Sequence, residues 1–199
     1  ETTEKQPTVR YREKGSNGAF ATWPMVQAAK ELKDDKIFFA PLSQLKPNTV
    51  YEYQVQTGSG SVPKTSPLYA FKTWPRAQDV SDGHQASFIA FSDTQDNRGG
   101  IFKSIVSKGI MGSERCQAAN PAGTCVENIK GVMVGGDFVG SGETRAQWKQ
   151  QFFDNFSALS PYVPLIPALG NHEFFGSRVE GDSDAEIAKW ALTYRKYFA

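Results

Sequence analysis

After residue 86 three short apolar runs, "SFIAFS", "KGVMVGG" and "VPLIPALG", are separated by two stretches whose large side chains recur at helical spacing. The first stretch marks a helix face with Ile101, Phe102, Ile105 and Val106. The second, "TRAQWKQQFFDNFSAL", repeats Trp148, Phe152, Phe156 and Leu159. Strand, helix, strand, helix, strand leaves little topological freedom, because parallel strands need long crossovers and helices pack onto the sheet they connect. A last helix is expected from the capping box of Ser183 and Glu186, with Ile187, Trp190, Ala191 and Tyr194 facing inward. The aromatic stripes belong to the core of this α/β unit.

Each of the three strands ends in polar residues. "FSDTQDN" puts Asp93 and Gln95 just past the first strand, "VGGDFVGSG" puts Asp137 past the second, and "LGNHE" puts Asn171, His172 and Glu173 past the third. The carboxyl ends of strands in an open parallel sheet share one edge, where ligands collect. Three separated motifs therefore converge there, and the glycines beside Asp137 and before Asn171 allow sharp turns. Asp93, Gln95, Asp137 and Asn171 all offer oxygen donors. Two carboxylates and two amides suit hard or borderline divalent cations. Each motif alone is weak, since an aspartate after a strand is often a cap or turn former; their order on consecutive strands is the stronger signal. His172 is one of only two histidines. The other, His84, lies in a polar stretch and reads as a solvated linker residue. Arg98 is a candidate phosphate contact, with a solvated loop arginine as the equal alternative. A Rossmann-like domain is the competing reading of this half, but "DTQDNRGG" lacks the GxGxxG spacing such a domain uses.

The first 75 residues have a different rhythm. "TVRYRE" sets Val9 and Tyr11 against Arg10 and Arg12. "TVYEYQVQT" sets Tyr51, Tyr53 and Val55 against Val50, Glu52, Gln54 and Gln56. "KIFFA" and "LYAFKT" are further short strands between turn-rich segments. This is the texture of an antiparallel β-sandwich. "LSQLKPNTVYEYQV" resembles the tyrosine-corner segment of fibronectin type III domains. The resemblance implies that the Tyr51 hydroxyl bonds back to nearby backbone, where the alternative is an ordinary strand tyrosine. It also implies that "TVRYRE" is the third strand of such a domain, with two strands missing upstream.

Charge excludes some partners. Lysine and arginine number 22 against 21 acidic residues, and no basic cluster is interleaved with aromatics, so no nucleic-acid-binding patch is expected. No apolar run approaches the roughly 20 residues of a membrane span, and the polar start, "ETTEKQPT", does not read as a signal peptide. Cys116 and Cys125, in "RCQAANPAGTC", are close enough in sequence to meet across a turn. Two readings stand: a disulfide closing a surface loop in a secreted or periplasmic protein, or two reduced thiols. Neither cysteine sits in an apolar run, which favours the disulfide.

"SDTQ", "GGDFVGSG" and "GNHE", in this order, resemble the first three motifs of the calcineurin-like metallophosphoesterase family. With the fibronectin-like segment ahead of them, the arrangement is similar to that of purple acid phosphatases. The resemblance implies a partial sandwich over residues 1–75, a linker over 76–86, and the first half of a metallophosphoesterase α/β unit over 87–199. It implies a site for two divalent metal ions (Zn, Mn, Fe, Mg or Ca): Asp93 on one metal, Asp137 bridging both, Asn171 on the second, and Gln95 as a weaker, neutral ligand. His172 would face the phosphate ester substrate and assist the leaving oxygen, while a bridging hydroxide attacks phosphorus. Most members carry histidine where Gln95 stands. Purple acid phosphatases carry tyrosine three residues after the bridging aspartate, where this chain has Gly140.

The expected activity is hydrolysis of phosphate mono- or diesters. A nucleotidase-like member of the same family is one alternative. A non-catalytic binding protein with a degenerate site is another, motivated by Gln95. About four ligands are too few for two cations. The rest of the domain is therefore expected in a companion chain or a longer chain, and the half-sheet alone should expose an apolar face and show little activity.

Overall fold

A computed structural model describes residues 6–27, 37–58, 64–81, 85–95, 100–117, 119–140, 142, 145–174, 183, 185, 194 and 197–198. His84, Arg98 and, in the expected last helix, Glu186, Ile187, Trp190 and Ala191 lie outside the described residues. The chain divides into two compact units, Glu1–Gln85 and Ala86–Ala199.

The first unit is antiparallel. Its strands are β1 (Thr8–Glu13), β2 (Ala21–Pro24), β3 (Val26–Gln27), β4 (Phe38–Phe39), β5 (Val50–Thr57), β6 (Lys64–Thr65) and β7 (Tyr69–Lys72). β1 pairs with β2 and β5, and β5 pairs with β6 and β7, while β3 and β4 form a separate ribbon. Val9 lies opposite Val55 and Tyr11 opposite Tyr53, so the alternation read in both strands falls on one face. There the Tyr51 and Tyr53 rings meet Phe71 at 5.6 and 5.8 Å. On the other face Arg12 pairs with Glu52 at 2.5 Å and lies over the Phe20 ring. The Lys46 backbone N–H donates to the Tyr51 hydroxyl at 2.9 Å. The corner expected at Tyr51 is therefore formed. β2, β3 and β6 carry no usable alternation, being short or ending in proline.

The second unit is built on three parallel strands, β8 (Phe88–Phe91), β9 (Gly131–Val134) and β10 (Leu165–Pro167), with β9 in the middle. Between β8 and β9 run α1 (Ile101–Ser104), a π-helical continuation (Ile105–Ile110) and α2 (Thr124–Asn128). Between β9 and β10 run α3 (Arg145–Gln147), a second π-helical segment (Trp148–Phe153) and α4 (Asp154–Phe156). Trp148, Phe152, Phe156 and Leu159 are all fully buried, as their spacing predicts. They join Val132, Val134, Phe102 and Val106 in one core. Rings link it end to end: Phe91 to Phe102 at 4.9 Å, Phe102 to Phe156 at 5.2 Å, Phe156 to Phe152 at 5.1 Å, and Phe152 to Phe138 at 4.8 Å.

One expectation needs correction. The helix face after β8 is narrower than four residues. Phe102 and Val106 point into the core, whereas Ile101 and Ile105 are 63% and 45% exposed. One i, i+4 row reaches the sheet, and the neighbouring row is rotated away from it. The expected disulfide is formed between Cys116 and Cys125, whose sulfurs are themselves fully buried, with the Met111 sulfur 3.4 Å from that of Cys116. The turn between them, through Gln117 and Asn120, is what reaches solvent.

The sheet is covered on the Val132 and Val134 face. On its other face Phe88, Ala90, Met133 and Ile166 are exposed, with Met133 in register between Ala90 and Ile166. This is the open apolar face that the sequence pattern leads one to expect. No helix among the described residues is long and apolar enough to cross a membrane.

Candidate functional site

The three strand-end loops lie side by side at the carboxyl edge of the sheet, and backbone bonds lock them together. The Gly135 N–H donates to the Phe91 carbonyl at 2.7 Å, that of Asp93 to Gly136 at 3.2 Å, and that of Gln95 to Asp137 at 3.0 Å. These bonds extend the β8–β9 pairing past both strands and carry Asp93, Gln95 and Asp137 to one place. The third loop joins through a side chain, where the His172 N–H donates to Oδ1 of Asp137 at 3.0 Å.

Asp93 and Asp137 share an uncommon backbone conformation, with φ of +56° and +52°. A non-glycine residue in the left-handed region is held there by its surroundings, and such positions gather at functional sites. Gly136, at φ +98°, makes the turn before Asp137. It also faces Gly170 closely: a Cβ on Gly136 would fall 2.6 Å from both Cα and N of Gly170. Behind Asp137 the Phe138 ring is fully buried against Trp148 and Phe152. The loop is held further along by the helix after it. Gly140 N–H donates to Oε1 of Gln151 at 2.6 Å, and Trp148 Nε1–H donates to the Gly142 carbonyl at 3.0 Å.

His172 is half-buried, and its Nδ1 lies 3.1 Å from the carbonyl oxygen of Gly140. A carbonyl only accepts, so in this contact Nδ1 is the donor. Tyr194 ties the end of the chain to the third strand, its hydroxyl donating to the Pro167 carbonyl at 2.8 Å. Burial, and then the Glu173 carboxylate, raise the pKa of this phenol.

The donor set fits a divalent centre in one specific respect. Among the described residues Gln95 Oε1 and Thr94 Oγ1 are buried without a hydrogen-bond partner, and a buried acceptor left so is costly unless something else engages it. Asp93 and Asn171 are exposed, and Asp137 is half-buried. Among the described residues no three histidine, cysteine, aspartate or glutamate side chains form a metal-holding group. The candidate set instead pairs two carboxylates with two amides. The side chain that sequence reasoning leaves without a role is Glu173, which is 1% exposed and accepts backbone N–H groups from both the second and third loops. An acidic residue directly after the histidine, with no place in the ligand count, is the available signal.

Residues 86–197 match the profile of the calcineurin-like phosphoesterase family. The chain belongs to that family. Ahead of this phosphoesterase unit, residues 1–73 match the purple acid phosphatase N-terminal domain. Comparison with curated protein sequences returned no match. Among solved structures, the purple acid phosphatase PPD1 isolated from yellow lupin (Lupinus luteus) seeds is similar in fold. The TM-score is 0.62 at 17% identity, over 98% of this chain and 36% of that one. The phosphoesterase chain described here thus spans about a third of the length of the lupin structure.

Proposed function

We propose that this phosphoesterase chain carries part of the catalytic site of a metal-dependent hydrolase of phosphate mono- or diesters. The observation that carries the reading is the locking of three strand-end loops into one edge, these being the loops that bear Asp93, Gln95, Asp137, Asn171 and His172. Asp93 and Gln95 would hold one divalent cation, Asp137 both, and Asn171 the second. Bound cations of this kind make a nucleophile from water near neutral pH and neutralise charge developing on phosphate.

The chain's own residues supply position and a proton. Asp137 already accepts one N–H through Oδ1, and a carboxylate keeps further lone pairs for ligation. His172, with Nδ1–H held by the Gly140 carbonyl, is assigned to the substrate phosphate. There it would assist the departing oxygen. Four oxygen donors undersupply two cations, so the remaining ligands are assigned to a longer chain or a companion chain. The buried disulfide supports a secreted or periplasmic location.

The test is to strip the full-length protein with a chelator and restore zinc, manganese, iron, magnesium or calcium in turn. Turnover of para-nitrophenyl phosphate and bis(para-nitrophenyl) phosphate is followed each time. Restored turnover with at least one cation is expected. A well-folded full-length protein that binds no cation and turns over neither ester would leave the non-catalytic reading.

A further inference from the structure

Glu173 is a buried carboxylate whose hydrogen-bond partners among the described residues are all backbone amides. Its Oε2 accepts the N–H of Asp137 at 2.9 Å and of Gly170 at 2.7 Å. Its Oε1 accepts those of Phe138 at 2.9 Å and Val139 at 3.3 Å. Three of these donors are consecutive in the second loop, and the fourth opens the third. In an extended strand successive amides alternate in direction, and the positive φ values of Gly136 and Asp137 break that alternation. A concave row of amides carries partial positive charge, and a carboxylate within it makes charge-assisted bonds. The left-handed conformation of Asp137 and the burial of Glu173 therefore stabilise each other.

We propose that Glu173 is a positioning residue, an internal anion that fixes the Asp137 loop against the Asn171–His172 loop before any cation arrives. What it positions rests on the hydrolase reading above; the clamp itself does not. Its backbone contacts are far along the chain from their donors in the second loop, 34 to 36 residues apart, so no local turn can replace them. With the clamp in place, the loop carrying Asp137 and the loop carrying Asn171 and His172 are held at a fixed spacing.

The experiment uses the full-length protein, metal-free, and its variants E173Q and E173D. In the wild type, amide hydrogen exchange should show Asp137, Phe138, Val139 and Gly170 protected. In E173Q an amide group replaces one acceptor oxygen and turns N–H toward N–H. Those amides should exchange at least about tenfold faster, and affinity for added zinc or manganese should fall about 10- to 100-fold, the range seen when outer partners of ligands are lost. On para-nitrophenyl phosphate, kcat should fall with KM little changed. E173D keeps both oxygens on a shorter stem and should recover part of the protection and part of the affinity. Unprotected amides in the wild type overturn the proposal without any variant, which covers an E173Q that fails to fold. Unchanged exchange and metal affinity in a folded E173Q overturn it as well. A wild type that binds no metal would remove the hydrolase reading, and the metal-free exchange comparison would then decide the clamp alone.

Discussion

The backbone N–H of His172 donates to Oδ1 of Asp137 at 3.0 Å, joining the proposed proton donor to the proposed bridging ligand across 35 residues of sequence. The bond needs an oxygen at that position and does not need a charge. Asparagine at 137 would keep it, so the geometric and electrostatic roles of Asp137 can be separated.

Asp137→Asn should therefore leave stability within about 1 kcal/mol while lowering kcat/KM by roughly 100-fold or more, the scale of losing a preorganised charge at the reacting group. Gln95→Ala removes a neutral donor and should cost less in both metal content and rate. Metal analysis and kinetics on the two full-length variants check this. Equal losses would argue against Asp137 serving both cations.

Gly170→Ala should disrupt the site through contact alone. A Cβ there would overlap Oδ1 and the backbone nitrogen of Asp137. The second and third loops would be forced apart, at roughly 1–3 kcal/mol by the scale of overpacking, with metal binding weakened alongside. Denaturant unfolding together with metal titration measures both, and a variant with wild-type values in each would show that the loops separate freely.

Tyr51→Phe tests the corner of the first unit. The ring contacts with Tyr11 and Phe71 would remain, and the Lys46 N–H would lose its acceptor. A loss of about 1 kcal/mol is expected, the net worth of one hydrogen bond of this kind. It should be read from an unfolding transition assigned to this unit, because two units need not unfold together. Stability equal to wild type would mean that water replaces the hydroxyl.

The metal-loaded full-length protein should show no intense visible band. That band needs a phenolate on iron(III), and Gly140 stands where purple acid phosphatases place the tyrosine. Tyr194 is no substitute, since its hydroxyl already donates to the Pro167 carbonyl and its surroundings favour the protonated phenol. A strong band that bleaches on reduction, seen by absorption spectroscopy, would require another tyrosine to reach the metal.

Sequence pattern reveals the parallel sheet because its signals are local and repeated: three apolar runs and a Trp148–Leu159 stripe whose members all turn inward. It misassigns Ile101 and Ile105 because apolar identity does not say which of two adjacent helix rows meets the sheet. It misses β2, β3 and β6, where pairing comes from distant partners rather than from alternation. At the candidate site, residue type is what proposes Asp93, Gln95, Asp137, Asn171 and His172. The work of Glu173 stays hidden because it bonds to main-chain amides, which leave no mark on residue identity.

The buried Cys116–Cys125 bridge makes the second unit report on its own breathing. A reductant in solution cannot attack a sulfur it cannot touch, so thiol exchange must wait until the packing around Met111, Cys116 and Cys125 opens. At high reductant the rate of cleavage becomes the rate of that opening. The bond thereby serves as an internal clock for a motion of the core, with no label or engineered probe attached.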